Sequence, residues 1–358
     1  MENMTQGKIS LVMIVKNEEA VLGRCLESVQ GIVDEIVIAD TGSTDATVEI
    51  AKKFNANVYP FTWCNDFSAA RNFALSKATG DIRLILDADE YIIKGSKADI
   101  LNTVNPNVVG QVLMFNIFEK DNEMNCTKNY MSRLICKGVG YKGTIHEQIN
   151  SNLPRVKTNI EVEHDGYLHK NKSERNLAIL FEAIKEEPED TYLLYQLAHT
   201  LYVGERKEEA IEWYEKYYRY SKMNESYRCA ALVDYLYNMI SVGKLEKGIE
   251  LIEKEEKHYY DSPDFNFVCA QFYRDLVLSD VQKYINYLPL IEQYYLKCLE
   301  IGETTKYDSV VGTGSYSAAY NLGVWYEVTK QFDKAKICYE MATEWGYEKA
   351  AERLAALM

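Results

Sequence analysis

The chain has 358 residues, 47% of them hydrophobic, with 40 Lys+Arg against 54 Asp+Glu and a net charge of -14. That length and apolar content supply two cores rather than one small module. The acidic balance opposes nonspecific nucleic-acid binding, which depends on cations neutralising phosphates. No run approaches the roughly 18 consecutive apolar residues of a membrane span, and the opening MENMTQGKIS lacks the apolar core of a secretory signal. A cytoplasmic protein with no membrane span and no nucleic-acid partner is expected. The eight cysteines form no C-x-x-C pair and mostly sit inside apolar periodic segments, so they read as reduced core thiols rather than disulfides or zinc ligands. Charge and aromatic content also divide the chain: residues 171–358 carry 22 Lys+Arg against 32 Asp+Glu and 23 of the 28 tyrosines.

In chain order, SLVMIV (10–15) is an apolar run of strand length, and KNEEAVLGRCLESVQG then places Ala20, Val21, Leu22, Cys25, Leu26 and Val29 largely on one helical face before Gly31. DEIVIAD (34–40) is a second buried strand, and TGSTDATVEIAKKF opens with capping residues before another amphipathic helix. NVYPF, the helix-like SAARNFALSKAT and the strand IRLILDAD follow. Alternation at this spacing predicts a parallel sheet covered on both faces, whose ligands bind beyond the carboxyl ends of the strands. Asp40, Asp87 and Asp89 all fall there, with Glu90 beside them. Adjacent carboxylates at a strand end repel unless a cation or a hydrogen-bonding ligand neutralises them, and oxygen ligands of this kind suit Mg²⁺ or Mn²⁺. The competing reading of Asp87-Ala88-Asp89 is a solvated turn.

Taken in order, LVMIVKNEE, IADTGSTDAT, FSAARNFALSKATGD and LDADE resemble the family 2 glycosyltransferases of the GT-A fold, over about residues 8–170. The resemblance implies an inverting transferase with a UDP-sugar donor and a divalent metal, Mn²⁺ or Mg²⁺. It implies that Asp40 hydrogen-bonds uracil, that Arg71 lies in the nucleotide pocket, and that Asp87-Ala88-Asp89 is the D-x-D motif holding sugar and metal. Val15, Lys16, Asn17 and Glu18 complete the implied nucleotide-sugar contacts. A later histidine often joins the metal in such enzymes, which makes His146 the candidate ligand beside Asp89. Glu147 is the candidate general base, with Asp87 also at the catalytic centre, although His146 and Glu147 cannot both face one site unless the chain turns between them. His164, Asp165 and His169 are candidates for the edge of the site. The alternative for Arg71 is a surface arginine paired with Asp66 or Asp81.

From about residue 174 strand patterns give way to helical segments. Leu194, Leu197, Ala198, Leu201, Ala210, Tyr214 and Tyr217 reproduce the spacing of Ala319, Leu322, Gly323, Tyr326, Ala335, Tyr339 and Ala342, with another copy at Leu232, Leu236, Met239, Gly248 and Ile252. A fourth, around Ala270 and Tyr273, has an enlarged turn before YYLKCLE. These spacings resemble the tetratricopeptide repeat, in which most of the tyrosines are packing residues. The expected organisation is an α/β GT-A domain at 1–170 and an all-α tetratricopeptide-like domain at 171–358. Family 2 enzymes with such a tail include peptide glycosyltransferases of the SunS type, so the resemblance implies a peptide or protein acceptor, modified at Cys or Ser/Thr, and allows a homodimer through the repeats. The alternatives are a cell-envelope polysaccharide or lipid-linked sugar transferase, or a scaffold protein whose transferase domain is inactive. A nucleotidyltransferase or dehydrogenase would need a glycine-rich loop after the first strand, and IVKNEEAVLGRC has none.

Overall fold

The computed structural model describes residues 7–120, 123–166 and 173–357. His169 lies outside them. The chain divides into two compact units, Met1–Ala183 and Ile184–Met358.

The first unit is built on strands β1 (Ile9–Val15), β2 (Glu35–Asp40), β3 (Asn57–Pro60), β4 (Ile82–Ile85), β5 (Glu90–Lys94), β6 (Val109–Lys120), β7 (Glu123–Cys136), β8 (Tyr141–Lys142), β9 (Gln148–Ile149) and β10 (Arg155–His164). Its helices are α1 (Leu22–Ser28), α2 (Thr47–Lys53), α3 (Phe67–Lys77) and α4 (Lys97–Thr103), and α5 (Ser173–Glu186) spans the division between units. The main sheet runs β3-β2-β1-β4-β7-β6-β10-β5. Its first four strands are parallel, as the βα alternation predicts, with Val15 opposite Asp40 and Val12 opposite Ile85. The rest corrects the all-parallel expectation, because β7 pairs antiparallel with both β4 and β6, and β10 with β5. The cause is the long β6–β7 hairpin: two strands joined tightly must run antiparallel, and β7 takes the position beside β4 that a further βα unit would have filled.

Two other expectations shift. The first helix is short, starting at Leu22, because Asn17 adopts a left-handed backbone with φ 55° and the segment after it loops before turning helical. The fourth strand ends at Ile85, so the D-A-D residues occupy the turn into β5 rather than the strand itself. Ile9, Leu11, Met13, Leu84, Leu86, Met114 and Leu134 fill the main core on one face of the sheet. Ile85, Ile135, Tyr141 and Ile149 form a smaller cluster.

The second unit is helical: α6 (Thr191–Val203), α7 (Lys207–Tyr220), α8 (Arg228–Ser241), α9 (Leu245–Tyr259), α10 (Pro263–Ser279), α11 (Val281–Tyr284), α12 (Leu288–Ile301), α13 (Tyr316–Val328), α14 (Phe332–Glu344) and α15 (Glu348–Ala356). The repeat positions are interior as expected, with Leu194, Ala198, Ala210, Tyr214, Ala319, Leu322, Ala335 and Tyr339 all buried. Small residues bring the helices together. A Cβ on Gly323 would stand 2.6 Å from the Tyr339 ring, and one on Gly248 would stand 2.3 Å from the Phe272 ring. The enlarged turn is real: α11 interrupts the pair α10–α12. All eight cysteines are free, and six of them are buried.

Candidate active site

The strand ends β1 and β2 carry two loops that lock together. The Asn17 amide donates to Ser43 Oγ at 3.0 Å, the Asn17 side-chain oxygen accepts from the Thr44 amide at 2.8 Å, and the Glu18 amide donates to Thr47 Oγ1 at 2.7 Å. Asp40 terminates β2 half-buried, and its carboxylate accepts the amides of Gly42 and Ser43 at 3.2–3.3 Å. Val15 is buried at the end of β1, and Lys16 and Asn17 are exposed beyond it. These residues therefore gather at one end of the parallel strands, as the sequence predicts.

The turn after β4 is the electrostatic centre. Asp66, one of the surface partners weighed for Arg71, instead caps α3 by accepting the Ala69 amide at 2.9 Å, and Asp81 accepts the Lys8 amide at 3.0 Å. Arg71 is buried, its Nη2 donates to Asp87 Oδ1 at 2.8 Å, and its Nε donates to Glu147 Oε1. Its remaining nitrogen, Nη1, is buried with no hydrogen-bond partner among the described residues. Two of its donors thus face carboxylates of the protein itself. Burial would raise the Asp87 carboxyl, but Arg71 and Arg133 beside it hold it well below the usual carboxylate range.

Arg133 carries no motif and the sequence reading missed it. It lies on β7, buried, with Nη2 donating to Glu90 Oε1 and 3.5 Å from Asp87 Oδ2. The signal was an arginine inside a largely apolar strand run, MSRLIC, since a buried guanidinium is seldom placed without partners. Glu90 is almost completely buried; burial raises its pKa against the pull of Arg133.

Asp89 is buried beside the turn. The imidazole beside it is His164, whose Nε2 is 3.7 Å from Asp89 Oδ1 while its Nδ1 lies 3.0 Å from Asn116 Oδ1. Burial lowers the affinity of His164 for a proton, but the bond to Asp89 and the neighbouring carboxylates outweigh it and raise the pKa. Gly166 packs so closely that a Cβ there would sit 2.1 Å from Asp89 Oδ2. Asp165 pairs with Arg24 at 2.7 Å. The chain does turn at His146, which has φ 49°, and Glu147 follows it toward Arg71. The preceding loop is tied to α3, since Ser68 Oγ donates to the Gly143 carbonyl at 2.5 Å and the Phe67 amide to the Thr144 carbonyl at 2.9 Å.

Among the described residues no group of three His, Cys, Asp or Glu side chains is arranged to hold a metal ion. A carboxylate beside an imidazole is nevertheless a donor pair that Mn²⁺ or Mg²⁺ accepts when phosphate oxygens and water supply the rest. Asp89 and His164 fit that description, whereas both Asp87 oxygens are already taken up by guanidinium groups.

Residues 10–163 match the model of Glycosyl transferase family 2. They form a family 2 glycosyltransferase domain. The chain is 32% identical over 238 residues to the SPbeta prophage-derived glycosyltransferase SunS of Bacillus subtilis, covering 61% of this chain and 55% of that protein. It is 30% identical over 214 residues to a TPR repeat-containing protein of Synechococcus elongatus, covering 54% of this chain and 52% of that one. The chain spans about half the length of the curated relatives it matches. Among solved structures, glucosyl-3-phosphoglycerate synthase from Mycobacterium tuberculosis in complex with Mg²⁺ and UDP is 25% identical, covering 32% of this chain and 45% of that one, with a TM-score of 0.26. No helix among the described residues is long and apolar enough to cross a membrane.

Proposed function

We propose that this chain is a metal-dependent, inverting glycosyltransferase that moves a sugar from a UDP-sugar to a Cys or Ser/Thr side chain of a peptide or protein. The observation that carries this reading is the acidic turn Asp87–Asp89, held at the end of the parallel strands inside a family 2 domain and stabilised from behind by two buried arginines. A mere solvated turn would not retain two buried guanidinium groups, each costly to desolvate.

In this reading Asp40 accepts the imide N–H of uracil, which discriminates against cytosine, whose N3 has no hydrogen. Lys16 and Asn17 flank the nucleotide. Asp89 and His164 would hold the divalent cation, whose charge would offset that developing on the departing diphosphate, an effect worth several kcal/mol. His146 is the alternative imidazole implied by the family resemblance. Asp87, fixed through both oxygens, orients the sugar. Glu147 accepts the acceptor proton, though one of its oxygens is occupied by Arg71. A thiol acceptor, with an ordinary pKa near 8.5, asks less of that base than a hydroxyl. The family resemblance to peptide glycosyltransferases with a repeat tail implies a peptide acceptor rather than a cell-envelope glycan.

The test is a panel of UDP- and GDP-sugars with Mn²⁺ or Mg²⁺, following nucleotide release with and without candidate peptides. The reading expects UDP-sugar turnover that needs the metal, and UDP affinity that falls on Asp40→Asn by about 1.5–3 kcal/mol, the range for a charge-assisted bond. Equal use of GDP-sugars or indifference to metal overturns the donor assignment. No turnover with any donor favours the scaffold reading.

A further inference from the structure

We propose that Arg133 is a positioning residue for sugar transfer, acting through Asp87 rather than touching the substrate; the inference rests on the glycosyltransferase reading above. The geometry is a closed ring. Arg133 Nη2 reaches the Asp87 side chain at Oδ2, 3.5 Å away, and also donates to Glu90 Oε1. Glu90 in turn uses its other oxygen to accept the Asp87 main-chain amide at 2.9 Å. One guanidinium therefore fixes Asp87 twice, directly at its carboxylate and indirectly at its backbone.

From the other side, Arg71 Nη2 donates to Asp87 Oδ1 at 2.8 Å. The two arginines come from different elements, α3 and β7, so the plane of the Asp87 carboxylate is set by two supports that lie outside the turn. β7 is a firm base, because Leu134 and Cys136, on either side of Ile135, pair with Leu84 and Ile82 of the strand that ends at the turn. Side chains alternate along a strand, so Arg133 shares a face with Ile135, which packs with Ile85 in the small cluster beneath the turn.

The arrangement is not explained by stability alone. Two like charges are brought to one carboxylate, and both guanidinium groups keep a buried nitrogen, Arg71 Nη1 and Arg133 Nε, with no hydrogen-bond partner among the described residues. Apolar residues of similar volume often serve stability as well or better than such a network. A group that must hold one rotamer while charge redistributes beside it needs a locked support of this kind.

The test compares wild type, Arg133→Met, Arg133→Lys and the double variant Arg133→Met/Glu90→Gln in UDP-sugar turnover, UDP binding and thermal melting. Glu90→Gln removes the buried charge that Arg133→Met would leave without its partner, so the double variant keeps the comparison in a folded protein if the single one unfolds. The expected result is a kcat lowered about 10- to 100-fold in Arg133→Met and in the double variant, the usual span for losing a support one layer behind a functional group. The UDP Kd should stay within about twofold, since the nucleotide is gripped elsewhere, and Arg133→Lys should recover part of kcat. Wild-type kcat in a folded Arg133→Met or double variant overturns the proposal, as does a loss confined to UDP affinity. A wild type that turns over no nucleotide sugar overturns the glycosyltransferase reading itself, and this inference with it.

Discussion

Replacing Arg71 by methionine removes the guanidinium that joins Asp87 to Glu147 while keeping the apolar stem. The side chains of Arg71 and Glu147 are 8% and 11% exposed, so this half of the bridge is poorly screened, whereas Asp87 is 35% exposed and partly solvated. Breaking a buried pair by deleting one partner costs about 3–5 kcal/mol; the solvation of Asp87 and its second partner, Arg133, place the expected loss near the lower end, roughly 3 kcal/mol. For a unit of this size each kcal/mol moves Tm by about 2–4 °C, so Arg71→Met should melt roughly 6–12 °C below wild type at pH 7. The pH dependence has a definite sign. Asp87 is held below its ordinary range in the folded state, so its contribution is complete above the unfolded carboxylate pKa of about 3.9 and declines as pH falls toward the folded value. The gap between wild type and variant should therefore narrow below about pH 4. Calorimetric melts from pH 3 to 7 check both points. A Tm loss under about 2 °C at pH 7, or a gap that widens on acidification, would refute the bridge as the stabilising link.

Further outcomes follow from the same geometry. His164→Ala should abolish the metal-dependent increase in UDP affinity, as should Asp89→Ala, whereas His146→Ala should leave most of it; calorimetric titration with Mn²⁺ distinguishes the two histidines. Because the proton on His164 is held more tightly than usual, that increase should fade in wild type as pH falls through the raised pKa of His164. Gly323→Ala should destabilise the helical unit by about 1–3 kcal/mol, read by denaturant melts, since the new methyl meets the Tyr339 ring at 2.6 Å. A chain ending at Ala183, once circular dichroism confirms that it folds, should bind UDP yet lose transfer to a peptide, because a long acceptor needs a second surface to raise its local concentration. Unchanged kcat/KM for the peptide would remove the repeats from acceptor binding.

Much of this architecture was legible because it is periodic. The apolar runs of β1 and β2 and the small-residue spacing of the repeats reflect burial and close helix approach, both local in sequence, and Gly323 and Gly248 lie against rings as their spacing implied. The site was legible only in part. Asp40 and the D-A-D turn announce themselves as carboxylates after buried strands. Arg133 does not, and His164 is legible only as a candidate for the edge of the site, because each meets the turn only when the sheet changes from parallel to antiparallel at β7 and when β10 returns beside β6. Arg71 was legible as a functional arginine, but its partners were not: Glu147 is 76 residues away, brought in by a loop anchored to α3.

The reciprocal hydrogen bonds between the loops after β1 and β2 have a consequence for how this pocket changes by mutation. Asn17 donates to one loop through its amide and accepts from it through its side chain, so the two segments act as one mechanical part. A substitution at Ser43 or Thr44, neither of which is assigned a ligand, will displace Lys16 and Asn17 as surely as a change at those positions. Pairs of substitutions across the two loops will be non-additive. If Asp40 reads the base as proposed, a shift in base preference made there alone would leave the facing loop fitted to the old base, so new nucleotide specificity would require coordinated change in both loops.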